Sequence, residues 1–292
     1  MIKIALLGYS GSGKTYIFKE LTGKESEIFD PFKPNIGIGI YKDERLEKIK
    51  EIVKPKKVVY PEFEIYDFKG FPEGEGFPSN YFKNFFEADI ILLIVKNFAE
   101  EANPEEEMES LVMELIYHDI ERVESIIEGR KKEKTNTEIW EKCLDFLKSE
   151  KFLKDMEIDK KQLLGAELIT LKEFLILSNG NRKEIKTDLP VIYEIKDIYK
   201  KVIEKLGMIT FYTIKGDIAQ AWIIPENLNA KQAGGKIHKD IEKGFVKAVS
   251  LSFNEFVEIT DWHKAKNMGI LKLLGPNSHI EDGDIIEFYF TK

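Results

Sequence analysis

The sequence predicts an α/β protein: a doubly wound parallel sheet, a helical insertion, and a smaller β-rich unit toward the C-terminal end. Three observations carry that reading. A strand-length apolar run, residues 1–7, opens into a Gly- and Ser-rich loop and then a segment of helical period. The run Ile90-Ile91-Leu92-Leu93-Ile94-Val95 does not alternate, which marks a strand covered on both faces by helices. After about residue 205 the pattern changes to short strand-like runs around one helix.

The elements follow in order. Residues 1–7 suit a central strand, 8–13 a loop, and 15–21 a helix with Ile17, Phe18 and Leu21 on one side. Further strands are predicted at 36–41, 62–67, 89–95, 174–177 and 190–193, and helices between them would wind the sheet on both faces. From 103 to about 165 a stretch rich in Glu, Lys, Leu, Ile and Met interrupts the pattern. Pro104 followed by Glu105, Glu106 and Glu107 starts a helix well, because proline tolerates the first turn and acids favour its dipole. Met108, Leu111, Leu115, Ile116, Ile120, Val123 and Ile127 keep helical spacing up to Gly129, which can end the helix. A second helix is predicted through Trp140, Leu144 and Leu147. The pair would form a charged, antiparallel, coiled-coil-like arm, packed on its own stripe or offered to a partner. Strands at 208–212, 219–224, 246–252 and 284–290, a helix at 231–243, and a turn at Glu281-Asp282-Gly283-Asp284 complete the chain. The expected boundaries are 1–102 and 167–205 for the sheet domain, 103–166 for the arm and 206–292 for the last domain.

Composition narrows the function classes. The 292 residues are enough for two or three domains. Charged residues reach 33%, with 44 Lys plus Arg against 52 Asp plus Glu, a formal net charge of −8. Such a chain does not coat DNA through its overall field, and contact with RNA would need a local basic patch. The single cysteine, Cys143, excludes an intramolecular disulfide and fits a reducing compartment. No apolar run approaches the ~20 residues of a membrane span, and the first apolar stretch is too short for a signal peptide. A soluble cytoplasmic protein is expected. The four histidines and one cysteine show no zinc spacing.

The strongest chemical signal is Gly8-Tyr9-Ser10-Gly11-Ser12-Gly13-Lys14-Thr15. It is a complete phosphate-loop pattern and lies between an apolar strand and an amphipathic helix, where such a loop must lie. Glycines let the backbone wrap a phosphate with its N–H groups inward, and the helix N-terminus adds a favourable dipole. Gly8, Gly11, Ser12, Gly13, Lys14, Thr15 and Tyr16 are therefore the candidate nucleotide-binding residues. Lys14 would reach the outer phosphates, and the Thr15 hydroxyl would ligate Mg²⁺. Asp67-Phe68-Lys69-Gly70 closes a strand. Asp67 there can hold Mg²⁺, and the Gly70 N–H can meet a γ-phosphate, so Lys14 and Gly70 are the candidate catalytic groups. Asn179 and Gly180 follow the strand at 174–177 and are the candidate base contacts. Arg182 stands where a guanine-reading GTPase places an acid, and a cation cannot accept the guanine protons.

These pieces, in this order, resemble the Obg-like ATPase family, also called YchF. Pro34-Asn35-Ile36-Gly37 is similar to the family's PNVG after switch I. Arg45-Leu46 and Ile52-Val53-Lys54-Pro55 are similar to its RL…IVKP segment, and Gly74-Glu75-Gly76 to its GEG in switch II. Asn103-Pro104 at the arm is also family-like. Toward the C-terminal end, Ile209-Thr210-Phe211-Tyr212-Thr213 resembles ITFFT and Ala221-Trp222 its following AW. Ala233-Gly234-Gly235-Lys236-Ile237-His238, with 240–245, resembles AAGKIHTDFEKGF. The resemblance covers nearly the whole chain. It implies a Ras-like P-loop NTPase domain, an inserted helical arm and a C-terminal TGS domain of β-grasp form. It further implies binding and slow hydrolysis of ATP with Mg²⁺, GTP being less favoured, and association with ribosomes.

Several positions depart from the family. Pro31 stands where switch I has a threonine, so no hydroxyl is offered there to Mg²⁺ or the γ-phosphate. Lys33 stands where the family has Glu, the loop between Gly70 and Gly74 is shorter, and Arg182 replaces the Glu of its base motif. These departures bear on hydrolysis and base choice. They keep open a second class, a binding module that holds nucleotide without turnover and acts through its last domain. A small-molecule kinase shares the phosphate loop, but the DxxG order and the TGS-like end argue against it. His238 reads as a capping or packing residue, Trp222 as core, and Lys236, Lys239, Lys243 and Lys247 as one basic face, solvated or turned to rRNA phosphates.

Overall fold

The structure is a computed structural model that describes residues 1–25, 30, 33–78 and 81–291. Pro31 therefore lies outside the described residues. The strands are β1 (Ile2–Leu7), β2 (Asn35–Ile40), β3 (Lys57–Val59), β4 (Glu62–Asp67), β5 (Ile90–Lys96), β6 (Glu173–Asn179), β7 (Val191–Ile192), β8 (Met208–Lys215), β9 (Ile218–Pro225), β10 (Phe245–Ser252), β11 (Lys272–Leu274) and β12 (Asp284–Phe290). The α-helices are α1 (Lys14–Thr22), α2 (Glu44–Val53), α3 (Pro104–Lys132), α4 (Glu138–Lys148), α5 (Ile198–Lys205), α6 (Ala230–Ile237), α7 (Lys239–Lys243), α8 (Phe253–Ile259) and α9 (Trp262–Met268). The chain forms two compact units, Met1–Gly39 with Phe63–Ile198, and Ile40–Glu62 with Tyr199–Lys292.

In the first unit the strand order is β2-β4-β1-β5-β6-β7. β1 runs parallel to β4 and β5, β5 to β6, and β6 to β7. The non-alternating run of β5 is buried along its whole apolar length, as a two-sided strand must be. Ala5, Leu7, Ile91, Leu93, Val95 and Ile176 face a core shared with Leu111, Leu115 and Ile116 of α3. Their neighbours Ile4, Leu6, Leu92 and Ile94 are equally buried on the other face. Each such side chain contributes roughly 2 kcal/mol by leaving water.

α3 begins at Pro104 with three acids in its first turn and ends with Arg130, Lys131 and Lys132 in its last. Both ends match the helix dipole. It runs past Gly129, the expected stop, because the basic last turn continues to favour helix there. α4 returns alongside, and the ion pairs Lys131–Glu141 and Lys148–Glu124 show the antiparallel sense. The α3 stripe and Trp140, Cys143 and Leu147 of α4 are buried in one core with β5. The stripe is thus spent on packing within the unit. Burial also pushes the Cys143 thiol up to about 11, so it stays a thiol.

In the second unit the strand order is β11-β10-β12-β8-β9-β3. β8 and β9 form an antiparallel hairpin, β12 lies parallel to β8, and β10 is antiparallel to β12. β3 adds to β9 in parallel, pairing Val58 with Ala219. α2 packs Leu46 and Ile49 against Tyr212, Ala219 and Ala221. Its cap, Asp43, is buried and accepts from Arg45 N at 2.8 Å and from Tyr212 Oη at 2.9 Å. Arg45 reaches across to Asp282 at 2.6 Å, and Asp282 accepts from Thr210 N at 2.8 Å. Residues 40–62 are therefore woven into the second unit by both strand pairing and a polar network around the buried Asp43.

The helix expected over 231–243 is two helices, broken at His238, whose backbone is extended and whose Nδ1 accepts from Asp240 N at 3.1 Å. That is the capping role read from the sequence. Trp222 stacks on Phe211 and donates to Thr213 Oγ1, also as core. The four-lysine face does not form. Lys247 pairs with Tyr289, while the next residue, Phe288, packs beneath Gly234 of α6. Adjacent strand residues point to opposite faces, so Lys247 lies on the face away from α6.

Asp284, at the start of β12, is buried, and burial pushes its carboxyl up to about 6. Its ordinary value is about 3.9, so the folded state resists its ionisation. The resulting penalty is absent below about pH 4, grows through about pH 6, and is constant above. Asp284→Asn keeps an acceptor for Glu281 N, which donates to Asp284 Oδ2 at 3.2 Å. The variant is expected to melt a few degrees higher than the parent at neutral pH, with the gain vanishing below about pH 4. Equal melting temperatures across that range would refute the assignment.

Candidate functional site

The phosphate loop joins β1 to α1, as its pattern requires. Gly13 caps α1 in the left-handed region, φ 91°, and no side chain caps that end. The first-turn N–H groups are thus left for an external anion. A Cβ on Gly13 would lie 2.1 Å from Asn179 Nδ2, so the loop and the end of β6 meet only over a glycine. Lys14 is buried and donates to Gly8 O at 2.6 Å and Tyr9 O at 3.1 Å. Burial lowers its amine to about 8, partly offset by the charges of Asp67 and Glu107. A cation held down among carbonyls in this way gains from a phosphate.

The DxxG segment closes on the same loop. Asp67 is fully buried at the end of β4, and Thr15 Oγ1 donates to its Oδ2 at 3.4 Å. These two hard oxygens at the first turn of α1 suit Mg²⁺, which takes carboxylate, hydroxyl and phosphate oxygens. Gly70 comes so near that a Cβ would lie 2.5 Å from Lys14 Nζ. Next to it, Phe71 O accepts from Ser10 N at 2.8 Å. Gly8, Gly11, Ser12, Gly13, Lys14, Thr15, Asp67 and Gly70 are therefore one cluster. The buried Ser12 hydroxyl has no hydrogen-bond partner among the described residues. Tyr16, next after Thr15 in α1, is 53% exposed.

Asn179 also joins the cluster. Its Nδ2 donates to Ser12 O at 2.9 Å, bracing the phosphate loop. Gly180 follows, and Arg182 is exposed beyond it.

Sequence reading missed four residues here. Tyr9, inside the loop, hydrogen-bonds Ser110 of α3 at 2.7 Å and stacks on Phe77 at 5.6 Å. Glu107 accepts from Lys96 N at 2.9 Å, and burial raises its carboxyl. Asn97 is fully buried just beyond β5. Phe98 is 48% exposed, and its ring lies 3.8 Å from a Cβ built on Gly13. One signal could have found Asn97 and Phe98. They follow the carboxyl end of a central parallel strand, where ligands of such sheets bind. Among the described residues no group of His, Cys, Asp and Glu could hold a metal by itself, and no helix is long and apolar enough to cross a membrane.

A family profile described as YchF-GTPase_C, protein of unknown function (DUF933), matches residues 208–291. The ribosome-binding ATPase YchF of Buchnera aphidicola subsp. Acyrthosiphon pisum is 28% identical over 360 aligned positions, covering 99% of each chain. Its namesakes in Escherichia coli O157:H7 and Bacillus subtilis are 27% and 26% identical, covering 99% and 98% of each chain. These alignments are longer than the 292 residues here, so the relatives carry segments this chain lacks. The structure of the Schizosaccharomyces pombe YchF GTPase matches with a TM-score of 0.79 at 19% identity, over 99% of this chain and 97% of that one. The fold is that of a P-loop NTPase, and over nearly its whole length the chain is similar to proteins of the YchF family.

Proposed function

We propose that this protein is a nucleotide-dependent switch that binds ATP with Mg²⁺ and hydrolyses it slowly to ADP and phosphate. One observation carries the reading: the Lys14 ammonium is buried against Gly8 O and Tyr9 O, with Gly70 packed on it and Thr15 beside Asp67. Backbone N–H groups of residues 11–15, with Lys14, hold and polarise the phosphates. Thr15 and Asp67 place the metal, which when bound neutralises phosphate charge. Gly70 offers its N–H to the γ-phosphate. Asn179, with Gly180, contacts the base while its amide braces the phosphate loop, and Phe98 offers a ring to the base. Arg182 is a donor at the base edge, so base choice rests on that loop.

The last domain is read as a TGS domain of β-grasp form. The β8–β9 hairpin, the crossing through α6 and the parallel placement of β12 beside β8 support this. It and the α3–α4 pair are the surfaces proposed for a ribosome or rRNA partner, in line with relatives named ribosome-binding ATPases. The proposed compartment is the cytoplasm. Two residues favour the non-hydrolysing alternative. Pro31, which offers no hydroxyl to Mg²⁺ or the γ-phosphate, stands where the family it resembles has a threonine, and Arg182 stands where that family has an acid.

The test is calorimetric titration of nucleotide-free protein with Mg-ATP and Mg-GTP, followed by phosphate release. ATP should bind more tightly than GTP. Because the free Lys14 amine titrates near 8, binding should take up a proton, and affinity should fall about tenfold from pH 7 to pH 9. Phosphate release above the blank, lost in Asp67→Ala, supports the enzyme. Release no different from the blank favours the binding module. Absence of binding to either nucleotide overturns both.

A further inference from the structure

We infer that Asn97 is a positioning residue for base selection, holding the loop at residues 178–183 in the arrangement that distinguishes one purine from another. The inference rests on the nucleotide-binding reading above and assigns a role to a residue outside the phosphate loop.

Asn97 is fully buried, immediately beyond β5. Its Nδ2 donates to Ser178 Oγ at 2.9 Å and to Lys183 O at 2.7 Å. Its Oδ1 accepts from Lys183 N at 3.0 Å. Its backbone joins the same loop: Asn97 N donates to Asn179 O at 2.9 Å, and Asn97 O accepts from Arg182 N at 3.3 Å. Ser178 Oγ, in turn, donates to Gly180 O at 2.7 Å. A side chain at this point must donate twice and accept once over a short reach. Asparagine does so; aspartate cannot donate, and serine has one proton.

The approach is backbone to backbone. Gly180 has φ 106°, and a Cβ there would lie 2.5 Å from Asn97 O. The held loop carries Asn179 and Arg182, while the residue after Asn97 is the exposed Phe98. One buried amide therefore sets both sides of the base end. Its own bonds reach no phosphate-loop atom; the link to that loop is Asn179 Nδ2 to Ser12 O. Removing the amide strands both backbone groups of Lys183 and takes from Ser178 Oγ the bond it accepts, and the loop must shift to satisfy them.

The experiment is calorimetry on the full chain, wild type, Asn97→Ala and Ser178→Ala, with Mg-ATP, Mg-GTP and inorganic tripolyphosphate with Mg²⁺. Thermal melts check that each variant is folded. Asn97→Ala is expected to lose about tenfold in ATP affinity and to move the ATP-to-GTP ratio toward one. Tripolyphosphate affinity should stay within about twofold, because the groups that bind it are intact. Ser178→Ala should move the ratio in the same direction by less. Equal losses for all three ligands mean a merely structural residue and overturn the inference, as does no loss for any. Where Asn97→Ala does not fold, an unchanged ratio in Ser178→Ala overturns it. A wild type that binds tripolyphosphate and both nucleotides without preference overturns base positioning but leaves the phosphate site standing. A wild type that binds none of the three overturns both.

Discussion

Lys14→Ala should abolish nucleotide binding, lowering affinity by about a hundredfold or more while leaving the fold intact. Among the described residues Lys14 is the cation buried at the loop, and charge-assisted hydrogen bonds contribute about 1.5–3 kcal/mol each. Two such bonds account for the loss. The same burial that lowers the Lys14 amine to about 8 is a cost to the ligand-free protein. The alanine variant should therefore melt no lower than the parent without nucleotide, and should lose the rise in melting temperature that ATP gives the parent. Calorimetry and melting curves together separate loss of the site from loss of the fold. Retained affinity in the variant would refute the site.

Asp119→Ala should be the most damaging single change to the first unit. Asp119 is fully buried in α3 and accepts from Ile169 N at 2.9 Å, Thr170 N at 2.8 Å and Thr170 Oγ1 at 2.5 Å. His118 Nδ1 lies 3.1 Å from Asp119 Oδ1, the oxygen that Ile169 N also meets. Alanine leaves two backbone N–H groups and a hydroxyl buried without partners, at about 1–3 kcal/mol for each. A loss of roughly 4 kcal/mol should lower the melting temperature by about 10 °C. Asp119→Asn keeps one acceptor and should lose about half as much. A melting temperature within a degree or so of the parent in the alanine variant would show that the 169–170 segment finds other partners.

What could be read in advance was what is written locally. The phosphate loop, the two-sided run of β5 and the acid-led start of α3 depend on neighbours within a few residues, and each stands where it was expected. Asn97 was illegible because one polar residue after an apolar strand says nothing of the five hydrogen bonds it makes with a segment some eighty residues away. The contact of Asn179 with Ser12 O was hidden for the same reason. The expected four-lysine face joined a helix to the strand after it, and which way Lys247 turns depends on how that strand pairs, with Tyr289 opposite it, which spacing does not tell. The association of residues 40–62 with the second sheet has no local signature either. Val58 and Ala219 pair across the length of the first unit, and periodicity identifies an element without naming its sheet.

That association bears on how the chain is made. α2 and β3 are synthesised early, yet the hairpin they pack against, and Asp282 that holds Arg45, come only near the end. Long-range pairing of this kind is slow, and unpaired strand edges are where nascent chains associate wrongly. The interim form is well suited to waiting. α2 exposes Lys and Glu pairs such as Lys48–Glu51 and Lys50–Glu47, and β3 is a three-residue strand with a lysine at its start. The second unit draws on both its earliest and its latest segments, so a chain cut short within β8 or β9 is expected to lose the unit as a whole and not merely its tail.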